Sequence, residues 1–88
     1  MEKRVALIGI IVEEFESIDK LNSLLHTYSR YILGRMGIPH PQRDMSIISI
    51  AIDAPGDVIS ALSGKLGALP GVSTKTIYSK MEREDNNL

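Results

Sequence analysis

YILGRMGIPHP, residues 31–41, reads as a strand that runs into a forced turn, and neither of its faces is polar. Period-two alternation puts Ile32, Gly34, Met36 and Ile38 on one side, and Tyr31, Leu33, Arg35 and Gly37 on the other. A strand with apolar groups on both sides is covered twice within its own domain, or covered once by another chain. Pro39 and Pro41 bracket His40 and have no backbone N–H to give, so strand pairing is expected to stop there.

Upstream, residues 5–12 (VALIGIIV) form an apolar, β-branched run bounded by charge, the pattern of a central strand buried on both faces. Gly9 in its middle suggests close approach of another group. Ser17 is placed to cap the helix that follows, by accepting a bond from a free N–H near Asp19 or Lys20. In that helix Ile18, Leu21, Leu25 and Tyr28 make one apolar stripe flanked by Leu24, with Asn22, His26 and Arg30 on a polar face.

Downstream, residues 45–54 alternate: Ser46, Ile48, Ile50 and Ile52 should face the helices, and Met45, Ile47, Ser49, Ala51 and Asp53 the other way. DAPGD, residues 53–57, starts a second helix with proline and carboxylates in its first turn. Its stripe is Val58, Ile59, Leu62, Leu66 and Leu69; Gly64 and Gly67 are read as close-packing positions, Gly67 also as a C-terminal cap before Pro70 and Gly71. Residues 72–78 (VSTKTIY) make a more polar strand suited to a sheet edge.

Strand, helix, strand, strand, helix, strand with right-handed crossovers is the ferredoxin-like βαββαβ arrangement. The fold class is α+β: a four-stranded antiparallel sheet, order 4-1-3-2, with both helices on one face. Residues 31–38 then lie at an edge, with Ile32, Met36 and Ile38 joining the core and Tyr31, Leu33 and Arg35 available to another subunit. No helix remains for the other sheet face, which carries Ile47, Ala51 and half of the first strand, and a partner chain is its simplest cover. A homo-oligomer, dimer or tetramer, is therefore expected.

With 88 residues the chain makes one domain, assigned to residues 1–79, followed by a charged tail over 80–88 expected to fray. The absence of cysteine excludes disulfides, thiolate metal sites and thiol catalysis, and fits a reducing cytoplasm. A net charge of −1 gives no general attraction to nucleic acid or anionic lipid. The basic start followed by an apolar run imitates a signal peptide but meets Glu13, Glu14 and Glu16 where a cleavage site would be, so a strand is read instead, and no segment is long enough to span a membrane.

GRMGIP at residues 34–39, SIISI at 46–50 and above all ALSGKLGALPGV at 61–72 resemble the iron-only hydrogenase system regulator family. The resemblance covers Lys3 to about Ser79. It implies a small oligomeric regulatory module, similar to amino-acid-binding ACT domains and to the C-terminal domain of the nickel-responsive repressor. That repressor holds nickel with several histidines and a cysteine; this chain has no cysteine and only His26 and His40. It also lacks the repressor's DNA-binding domain, so no direct nucleic-acid contact is expected.

Four side chains are the candidate ligand contacts. Glu13 and Glu14, with Glu16 beside them, occupy the strand-to-helix turn that forms the ligand loop in similar ACT domains; the alternative is a solvated acidic turn. Arg35 can clamp a carboxylate or phosphate, or protect an edge with its charge. His40 is a metal or ligand contact at an oligomer interface, or an exposed loop histidine; alone it falls short of a metal's ligand count. Lys65 between Gly64 and Gly67 lacks the spacing of a phosphate loop. RNA stacking needs aromatics that residues 5–12 and 45–54 do not have, and an acylphosphatase-like phosphate cradle is opposed by the acidic loop after the first strand. The sequence thus points to a cytoplasmic, non-enzymatic module with no cofactor. The competing expectations are a ligand-free assembly subunit and a metal-responsive sensor using His40.

Overall fold

Isoleucine at every second position of residues 48–52 makes the third strand the spine of the sheet. The computed structural model describes residues 2–40 and 43–80, with the side chains of Pro39 and His40 left aside. Its elements are β1 (Lys3–Val12), α1 (Ile18–Thr27), β2 (Ile32–His40), β3 (Met45–Pro55), α2 (Gly56–Gly67) and β4 (Val72–Tyr78). The strands pair antiparallel in the order β2-β3-β1-β4, the expected topology. The expected tail lies, apart from Lys80, outside the described residues, as do Pro41 and Gln42.

Both helices cover one face of this sheet. Ala6, Ile8, Ile10 and Val12 of β1 stand opposite Ile52, Ile50, Ile48 and Ser46 of β3, so their side chains share that face. Leu21 and Leu25 of α1 and Ile59, Leu62 and Leu66 of α2 close over them, with Ile18, Leu24, Tyr28, Tyr31 and Ile32 packed at the margin. Burial of an aliphatic side chain of this size contributes roughly 1.5–3 kcal/mol, which makes this single layer the main source of stability.

β1 departs from the reading of a strand buried on both sides. Its alternate residues Val5, Leu7 and Ile11 are each more than 40% exposed. The apolar run by itself does not distinguish a strand covered on both faces from one covered only on the helix side. Nor does this chain crowd Gly9, where an added Cβ would meet only the Lys75 carbonyl oxygen, at 3.8 Å.

The larger correction falls on β2. Ile32 pairs with Ile52 and Gly34 with Ala51, so Leu33 is an extra, unpaired residue, a β-bulge. One extra residue reverses the faces of everything beyond it. Ile32 stays on the helix side, but Met36 pairs with Ser49 and Ile38 with Ile47 on the opposite face, 66% and 60% exposed. The expectation that Met36 and Ile38 join the core is overturned. Arg35, opposite Ile50, turns toward α1, where its Nη2 donates to Asn22 Oδ1 at 3.3 Å.

Several local expectations also change. Pairing continues through Pro39 to His40, opposite Ser46 and Met45, because an edge strand tolerates proline where the N–H would point outward. Ser17 does not cap α1; its buried hydroxyl donates to the Pro70 carbonyl at 2.6 Å, while the Glu13 N–H bonds the Gly71 carbonyl at 2.7 Å. These bonds tie the β1–α1 and α2–β4 connections together. Gly67 is the last residue of α2, which Ala68 caps in a right-handed conformation; an added Cβ at Gly67 would stand 3.2 Å from Thr74 Oγ1, whereas at Gly64 it would meet nothing within 4 Å. The left-handed glycine is Gly71, at φ 69°.

Candidate functional site: the open face of the sheet

With both helices on one side, the remaining sheet face stands free, and the register arranges its side chains in rows. The first row runs Ile38, Ile47, Ile11, Ser73 from β2 to β4; the second Met36, Ser49, Gly9, Lys75; the third Gly34, Ala51, Leu7, Ile77. Asp53 and Val5 follow at the far end. Ten of these fourteen positions carry no polar side chain, and Leu7, Ile11, Met36, Ile38, Ile47 and Ile77 are all exposed. Scattered surface hydrophobics are ordinary, but a contiguous apolar sheet face marks an interaction surface.

The face is not flat. One hollow, about 260 Å³, lies over the small residues Gly34, Ser49 and Ala51, walled by Leu7 and Met36. A second, about 380 Å³, lies over Gly9, Ser49 and Ser73 between Ile11, Ile47 and Lys75. Its charges stand at the margins, Lys75 on the edge strand β4 and Asp53 toward the end of β3.

The structure places the residues singled out by sequence in several different settings. Ile47 and Ala51 lie on the open face. Glu13 and Glu14 follow β1 at the end of the sheet where the β2–β3 hairpin also brings His40, two strands away. Strands are spaced about 4.8 Å apart, so the backbones of Glu13 and His40 are neighbours across one strand. Arg35 does not join them. It belongs to a polar cleft on the helix side with Asn22, His26 and Ser29. Tyr31 packs at the margin of the core, under the Arg30 guanidinium, and Leu33 projects from the bulge, 65% exposed. Among the described residues no three His, Asp or Glu side chains come together to hold a metal.

Sequence reading missed Met36, Ile38 and Ile77 as members of this surface and placed half of β1 there without naming Leu7. For Leu7 the signal was present, since it has the parity of Ile47's neighbours. For Met36 and Ile38 it was not, because nothing in residues 31–38 announces the bulge.

The fold is a small ferredoxin-like α+β domain with one apolar sheet face exposed. Sequence comparison makes this specific. Residues 4–76 match the TM1266-like family, described as iron-only hydrogenase system regulator, and the chain belongs to that family. The chain is also similar to the solved structure of the uncharacterized protein TM1266 from Thermotoga maritima, with 40% identity and a TM-score of 0.86, over 90% of this chain and all of that one. Two more distant structures share the fold alone. The C-terminal domain of the MgtC protein from Mycobacterium tuberculosis has 13% identity and a TM-score of 0.68, covering 93% of this chain and 94% of that one. A formyltetrahydrofolate deformylase from Pseudomonas putida KT2440 has 11% identity and a TM-score of 0.60, covering 83% of this chain and 28% of that enzyme. No functionally curated protein matches the chain.

Proposed function

We propose that this chain is a non-catalytic regulatory module of an iron-only hydrogenase system that assembles through the open face of its sheet and takes a small ligand at the boundary between subunits. The family supplies the system, and the uncovered face, with Leu7, Ile11, Met36, Ile38, Ile47 and Ile77 presented together, is the observation that carries the reading. A two-layer domain with one wet apolar layer is incomplete in the thermodynamic sense, since covering that layer removes apolar surface from water at roughly 25 cal/mol per Å². The sheet end whose strands carry Glu13, Glu14 and His40 is the ligand region of this proposal, with Arg35 as a separate anion contact beside Asn22.

Sedimentation velocity over the micromolar range tests the assembly, and a strictly monomeric chain contradicts it. Thermal unfolding with a panel of amino acids, nucleotides and divalent metals tests the ligand. A compound that binds the folded form raises the midpoint, its stabilisation growing as RT ln(1 + L/Kd), where L is its free concentration. No shift across the panel removes the ligand part and leaves a module that works by assembly alone.

A further inference from the structure

The order of large and small residues on the open face names its occupant. Row three reads Gly34, Ala51, Leu7, Ile77: small, small, large, large. Turned about a two-fold axis that runs along the strands between β3 and β1, the same row presents large, large, small, small. We infer that the open face is self-complementary and seats a second copy of this chain about that axis, with Leu7 of each copy over Ala51 of the other and Ile77 over Gly34; this rests on the assembly proposed above.

Other rows agree. Row one sets Ile38 over Ser73 and Ile47 over Ile11, an ordinary aliphatic contact between sheets. Row two sets Lys75 over Met36 at each outer edge, where the lysine's aliphatic stem lies on the methionine and its ammonium reaches water, and leaves the small residues Ser49 and Gly9 facing each other between them. Charges therefore fall at the rim and apolar groups at the centre, the anatomy of a specific interface. Aligned sheets stack about 10 Å apart, within about 30° of parallel, so contacts near the axis, Leu7 with Ala51, are held best.

An axis across the strands through the second row would instead set Ala51 over Ile47 and Leu7 over Ile11, a seating that the double variant below does not restore. The area is also adequate for a modest dimer: four strands at about 4.8 Å and seven residues at about 3.4 Å give roughly 450 Å² per copy in projection, near the 1,000 Å² total that specific interfaces need.

The dissociation constant by sedimentation equilibrium tests this, using the full chain, Ala51→Leu, Leu7→Ala and the double variant L7A/A51L. Circular dichroism verifies that each is folded, as expected for positions outside the buried layer. In the seated dimer A51L meets Leu7 of the other copy, and dimerisation weakens about tenfold or more. The double variant exchanges large for small on both sides of the same contact and recovers to within about threefold of the parent. A dimer that A51L leaves unchanged or tightens overturns this seating while keeping the assembly. So does a weakened A51L dimer that the double variant fails to recover. A parent chain that stays monomeric overturns both.

Discussion

At the level of single residues the sharpest constraint is Gly71. Its φ of 69° disfavours any side chain, and an added Cβ would stand 2.9 Å from the Glu14 backbone nitrogen and against the Glu14 side chain. Gly71→Ala should therefore cost more than the roughly 1–2 kcal/mol of a left-handed alanine alone, read as a lower urea midpoint at unchanged m-value. Gly64→Ala should do the opposite and stabilise by about 0.5–1 kcal/mol, since α2 gains a better helix former in open space. Ser17 is buried with its hydroxyl on the Pro70 carbonyl, so Ser17→Ala leaves that acceptor without its partner, at a cost of about 1–3 kcal/mol in the same experiment.

Within an element, parity separates two jobs. Ile50 and Ile47 lie three residues apart on β3, one fully buried under the helices and the other on the open face. Ile50→Ala should lose about 2–5 kcal/mol of stability through a cavity. Ile47→Ala should cost the isolated fold less than about 1 kcal/mol and appear instead as weaker self-association. Equal losses of unfolding free energy for the two would contradict the one-sided burial of β3. Hydroxyl pairing reinforces the other edge: Thr76 Oγ1 lies 3.2 Å from Ser63 Oγ, and Thr74 Oγ1 3.3 Å from it, linking α2 to β4.

For the whole molecule, the decisive balance is between a near-neutral chain and an uncovered apolar layer. With a net charge of −1 two copies would repel little, and the proposed assembly, driven by apolar burial, should respond weakly to ionic strength. Sedimentation at low and at high sodium chloride should give dissociation constants within about threefold of each other; a tenfold weakening in salt would indicate charge pairing as the driving term instead.

Most of the architecture is legible in the sequence. The 3.6-residue stripes of α1 and α2 and the alternation of β3 follow from amphipathic periods that hold wherever a segment packs, and with handed crossovers they leave one sheet order. The ALSGKLGALPGV segment carries the family likeness. The candidate site was legible only in part. Ile47 and Ala51 follow from the parity of β3, whereas the places of Met36, Ile38 and Arg35 depend on the bulge at Leu33, whose extra residue is chosen by how β2 meets both β3 and α1. Ser17 shows the same division. Its type suits a helix cap, but its partner is Pro70, far along the chain, and only packing brings the two together. Local periodicity is a property of the chain, and so the sequence by itself determined the elements, their order and the buried layer. Register and long-range partners are set by competition among tertiary contacts, and that competition alone decided which side chains form the open face.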